Sequence, residues 1–109
     1  MTQAQSSLNF STRENQINNL IKDQKFSKSR AYFLFVSLWD DVCCNLVKEL
    51  EKNPPPFDVN IVNSFDTPHS FVIWGITQSP SLVVLEPNGR KVTISNHVTD
   101  IYKRLKLEK

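Results

Sequence analysis

Glycine is nearly missing from this sequence: Gly75 and Gly89 are the only two in 109 residues. Loops that wrap phosphate groups in backbone amides need several glycines close together, so neither a Walker loop nor a GxGxxG turn can be built, and no nucleotide partner is expected. Cysteine is equally scarce. Cys43 and Cys44 are adjacent, so a disulfide between them would be strained and they form no stabilising staple. No apolar run approaches the ~20 residues of a membrane span, and the longest, Tyr32 to Val36 with Leu38, is strand-sized. The opening Met1-Thr2-Gln3-Ala4-Gln5-Ser6 is polar and has none of the apolar stretch of a secretory signal. An intracellular, reducing compartment is therefore expected, with the cysteines kept as thiols.

An excess of one charge is also lacking. Thirteen Lys and Arg against eleven Asp and Glu leave +2, too little to imply nucleic acid or an acidic membrane as partner. Two denser clusters, Lys22, Lys25, Lys28, Arg30 and Lys103, Arg104, Lys106, Lys109, are laced with acids. They read as solvated surface that complements helix C-terminal dipoles, in preference to a docking patch. What is present is ordinary for a globular protein: 39% hydrophobic and 10% aromatic residues. A chain of this size buries roughly 65% of its unfolded surface, enough for one core without metals. Residues 1–6 read as a polar tail and residues 7–109 as a single domain.

The periodicities give an element order. Ser11-Thr12-Arg13-Glu14 has the form of a capping box, with Ile17, Leu20 and Ile21 following at helical spacing, so a helix is predicted over residues 12–25. Leu8 and Phe10 ahead of it alternate with polar residues, a faint strand signal. Residues 31–38 are almost continuously apolar, as befits a strand covered on both faces. Asp40 and Asp41 stand where a helix begins, and Cys43, Leu46, Val47 and Leu50 recur along one face until Asn53 and Pro54-Pro55-Pro56. Phe57, Val59 and Ile61 alternate as a strand. A short helix over residues 67–74 is predicted, with Asp66 as cap, Pro68 in its first turn and Gly75 at its end. Leu82 to Leu85 and Val92 to Ile94 flank Glu86-Pro87-Asn88-Gly89-Arg90, a hairpin turn. A last helix starts near His97 with Ser95 or Asn96 as cap and buries Val98, Ile101, Tyr102 and Leu105. Early parallel crossovers and a closing antiparallel hairpin predict a three-layer α/β/α domain with a mixed sheet of four to five strands and about four helices.

That order, with two local stretches, resembles the thioredoxin family. Phe35-Val36-Ser37-Leu38-Trp39-Asp40-Asp41-Val42-Cys43 is similar to the family's central strand running into its Trp-Cys-Gly-Pro-Cys motif. Trp74-Gly75-Ile76-Thr77-Gln78-Ser79-Pro80-Ser81-Leu82-Val83-Val84-Leu85 is similar to its aromatic-Gly-Ile segment, cis-proline and following strand. Pro87-Asn88-Gly89 falls where the family has an Asn-Gly hairpin, and the resemblance spans residues 7–107. The active-site motif is degenerate. With Trp39 as anchor, Asp40 takes the place of the attacking cysteine and Cys43 alone remains at the resolving position. Shifted by one residue, Asp41 and Cys44 take those places. In either register an acid stands where exchange chemistry needs a thiolate to attack a disulfide sulfur.

At a helix N-terminus a carboxylate is held and acts as a cap, so Asp40 and Asp41 read as caps without a catalytic role. Cys43 lies on the apolar stripe and reads as core. Cys44, about 100° round the helix, is the better candidate for a reactive thiol. His69 and His97 lack ligand spacing and read as surface residues, and no metal or cofactor is expected. By resemblance, Ser79-Pro80 is cis and lies beside Trp39 and Cys43, with the loop at Ser95 and Asn96 completing a shallow groove. Trp39, Asp40, Ser79, Pro80 and Asn96 are then the candidate peptide-binding residues, Trp39 as aromatic anchor or as partial core. Trp74 reads as core. Two functional classes follow: a redox-inactive module that works by contact, as an adaptor or structural subunit of a larger assembly such as a virion, or an atypical single-cysteine thiol–disulfide oxidoreductase.

Overall fold

The computed structural model describes residues 8–11, 13–24, 30–55, 57–87 and 89–106, so the polar tail, Thr12, Lys25, Lys28, Asn88 and Lys109 lie outside the described residues. Five strands form one mixed sheet in the order β1-β3-β2-β4-β5, with β1 Leu8–Ser11, β2 Ala31–Val36, β3 Val59–Asn63, β4 Ser81–Leu85 and β5 Lys91–Ser95. The helices are α1 Glu14–Gln24, α2 Asp41–Lys52, α3 Pro68–Ile73 and α4 Val98–Lys106. β1 and β2 both run parallel to β3, whereas β4 is antiparallel to β2 and to β5. A register shift between Leu82 and Val83 interrupts the last pairing.

β2 is central because both its faces are apolar. Leu34 and Val36 pack with Cys43, Leu46, Leu50, Ile101 and Leu105 under α2 and α4, while Phe33 and Phe35 pack with Ile17, Val62 and Val83 beneath α1 and α3. All four strand residues are fully buried, each stabilising by roughly 1.5–3 kcal/mol relative to exposure. α2 buries Cys43, Leu46, Val47 and Leu50, the stripe read from the sequence, and ends at Asn53. Gly75, at φ 69°, closes the turn after α3.

Three local expectations change. Phe57 lies outside β3 and instead packs its ring 4.5 Å from that of Tyr32. The N-cap of α3 is Thr67, which makes no side-chain capping bond, and not Asp66, whose carboxylate accepts from Asn63 Nδ2 at 3.4 Å; the first turn is satisfied instead by Glu14 of α1. Its Oε2 accepts the His69 backbone N–H at 2.9 Å and its Oε1 accepts the Ser70 hydroxyl. Glu14 therefore serves another helix, and it is Gln16 Oε1 that reaches back to the Arg13 N–H, at 3.0 Å. α4 begins at Val98, one residue after His97, with the Ser95 hydroxyl accepting the His97 N–H at 3.2 Å. Since Glu14 satisfies the first turn of a six-residue helix, Glu14→Ala should lower stability by about 1–2 kcal/mol in chemical denaturation. A change within ~0.3 kcal/mol would remove Glu14 from that role.

Candidate functional site

The strands β2 and β3 end, and β4 begins, at one end of the sheet, and the loops there carry the candidate residues. Ser37, Leu38 and Trp39 follow β2, Ser64 and Phe65 follow β3, and Ser79 and Pro80 precede β4. The Ser79-Pro80 bond is cis. The Ser37 hydroxyl is the hub of the cluster, 2.9 Å from Ser64 Oγ and 3.0 Å from Ser79 Oγ, joining three loops. Asn63 Oδ1 accepts the Leu38 N–H at 3.1 Å and Ser64 N–H donates to Val36 O at 2.9 Å, which fixes the path of the chain into Trp39. Serines have no periodic signature, so this cluster was not read from sequence; only Ser79, preceding Pro80, was singled out.

Asp40 is the N-cap of α2 in extended backbone (φ −92°, ψ 126°), and its Oδ1 accepts the Val42 N–H at 3.1 Å. Its other oxygen accepts from Cys43 Sγ at 4.0 Å. Cys43 has no solvent exposure. Burial pushes its thiol pKa up, against smaller opposing effects of the Ser37 backbone and the Ser79 hydroxyl, and the Asp40 charge pushes the same way. Fold stability from the protonated thiol is thus intact below the unfolded-chain value of about 8.5 and declines as pH climbs through the raised folded value. Cys44 is half-buried and, like Cys43, is in no disulfide. His69 and His97 are exposed. Among the described residues no three His, Cys, Asp or Glu side chains are grouped to hold a metal ion.

Trp39 is 73% exposed, so it is not core; its ring meets that of Phe65, itself 74% exposed, edge to face at 6.5 Å. Trp74 is half-buried against Phe33 and Phe35, at 4.9 and 5.2 Å, with Lys91 Nζ 5.2 Å from its ring centre. Asp40 and Ser79 both neighbour Cys43, Trp39 immediately precedes Asp40, Pro80 is buried, and Asn96 lies one residue beyond the Leu82–Ser95 pair.

Solved structures superimpose over nearly the whole chain. A thioredoxin from Nicotiana alata gives a TM-score of 0.76 over 100% of this chain and 98% of its own, at 12% identity. The chain has the thioredoxin fold. Thioredoxins from Schistosoma mansoni (TM-score 0.72, 14% identity, 94% of this chain and 98% of the other) and Fasciola hepatica (0.67, 18%, 93% and 99%) share it. No protein-family model and no curated protein matches the sequence. Within this thioredoxin fold, an apolar groove of about 360 Å³ opens between α2 and α4, lined by Val42, Leu46, Val98 and Tyr102. The Tyr102 hydroxyl donates to Glu49 Oε1 at 3.0 Å, and that bond to a carboxylate raises the phenol pKa. A cavity of about 570 Å³ beside Arg30, Tyr32 and Asn60 lies at the opposite end of β2 and is separate from this site. No helix among the described residues is long and apolar enough to cross a membrane.

Proposed function

We propose that this protein is a redox-inactive thioredoxin-fold module that works by contact, as an adaptor or structural subunit of a larger protein assembly. The observation that carries the reading is the Asp40 carboxylate at the head of α2, hydrogen-bonded to the Val42 N–H and in contact with the Cys43 thiol. The attacking position thus holds a group that cannot form a mixed disulfide, because that intermediate requires sulfur. The helix N-terminus keeps its affinity for negative charge and uses it to hold a cap. Cys43 is buried with a raised pKa, the opposite of what a nucleophilic thiol needs. Exposed Trp39 and Phe65 at the same end supply the aromatic area that protein contacts favour.

The purified protein should show no reduction of a disulfide substrate above the background of the reductant alone. Cys43 alkylation in the folded chain should remain slow at pH 7 and accelerate only in the alkaline range, and the Cys43→Ser, Cys44→Ser double variant should keep its partner binding. Disulfide turnover that disappears in the double variant would replace this reading with that of a single-cysteine oxidoreductase, for which half-buried Cys44 is the candidate nucleophile.

A further inference from the structure

The cations of this chain are segregated along the sheet. Although the net charge is +2, residues 31–47, 53–89 and 92–102 contain no Lys or Arg. Those stretches supply every loop over the ends of β2 and β3 and the entries to β4 and α4. Asp40 and Asp66 lie in these loops, next in the chain to the exposed Trp39 and Phe65, and Asp41 opens α2 at the same end. The described cations collect elsewhere: Lys22 near the end of α1, Lys48 and Lys52 in the second half of α2, Arg30 ahead of β2, Arg90 and Lys91 by the hairpin tip, and Lys103, Arg104 and Lys106 in the second half of α4. Among the described residues, Arg13, before α1 and beyond the β1 edge, is the cation that shares the acidic end.

We infer that the aromatic and acidic end of the molecule docks a protein segment in which Lys or Arg alternate with aliphatic residues, a partner chemistry that rests on the contact role proposed above and specifies it. The Trp39 and Phe65 rings, 78° apart in plane, form an open corner that accepts the methylene stem of a lysine or the face of a guanidinium. The neighbouring carboxylates attract its charged head. Three residues on from Trp39, the groove at Val42, Leu46 and Val98 takes an aliphatic side chain, with the Glu49 carboxylate at its rim. An acidic segment meets repulsion at all of these positions, so the discrimination is by charge as well as by shape.

The test uses two fluorescent nine-residue peptides, one alternating Lys with Leu and the other Glu with Leu, titrated with the whole protein. The Lys peptide should bind at least about tenfold tighter at low ionic strength, with the preference collapsing at about 0.5 M salt. Trp39→Ala, and separately the Asp41→Asn, Asp66→Asn pair, should each weaken it by roughly fivefold or more. Lys103→Gln at the far end should leave it unchanged, and the Trp39 indole N–H signal should shift on binding. Equal binding of the two peptides, no binding of either, or a preference that survives the double Asp→Asn change would overturn the inference. So would salt-sensitive self-association in sedimentation that the Lys peptide fails to compete, since the acidic end would then be meeting the basic end of a second copy. Disulfide turnover by the wild-type chain would instead overturn the contact role while leaving the charge preference standing.

Discussion

An Asp40→Cys variant should gain disulfide exchange, with turnover of a disulfide substrate at least about 100-fold above that of the wild-type chain. Asp40 Oδ2 and Cys43 Sγ are already in contact at 4.0 Å, so the new sulfur would stand next to an existing one with two residues between them. The amides and partial positive charge at the start of α2 favour a thiolate at position 40 as they now favour a carboxylate. Cys43, a thiol at rest because of its burial, then gives up its proton as it attacks the sulfur at position 40, and the departing substrate thiolate takes that proton up. Losing the cap costs about 1 kcal/mol, small enough for the fold to persist. Asp41→Cys is the control: position 41 is exposed in the first turn, and that variant should stay inactive. A folded Asp40→Cys protein with no gain, or a gain confined to Asp41→Cys, would show that Asp40 does not occupy the attacking position.

Phe35→Ala should have the largest effect on stability, a loss of about 3–5 kcal/mol. Phe35 is fully buried near the end of the central strand, and its ring meets Phe71 edge to face at 5.0 Å and Trp74 at 5.2 Å. Removing it leaves a void beneath α3 and deprives Trp74 of one of its two ring partners. Against a total of roughly 5–15 kcal/mol for a domain, that loss brings unfolding into mild denaturant. The midpoint of urea unfolding measures it, and a shift equivalent to less than about 1 kcal/mol would mean that Phe35 is not central to the packing.

Most of the fold was legible because its central pieces carry their own signals. β2 is an unbroken apolar run, and α2 announces itself with an acid at its head, a stripe at Cys43, Leu46, Val47 and Leu50, and prolines behind. The hairpin is marked by its turn. β1 was barely visible, because four residues alternating Leu8 and Phe10 gain their order from pairing with β3, and each partner lies 51 residues away in sequence. The same physics explains Asp66. A local rule assigned the α3 cap to the nearest acid, but the carboxylate that arrives is Glu14, brought by packing of α1 against α3. The candidate site was half legible. Trp39, Asp40, Ser79 and Pro80 were marked by a motif and do gather at one end. Ser37 and Ser64 join Ser79 only once three loops converge, and the exposure of Trp39 depends on what the fold leaves uncovered.

The reach of Glu14 across to His69 and Ser70 has a further bearing on how the molecule opens. A helix of six residues is too short to persist alone. Tethered through this carboxylate, α3 shares the fate of α1, so the two form a single cooperative unit. A fluctuation that frays the chain near its beginning is thereby relayed to the segment that covers Phe35 and flanks the Phe65 loop.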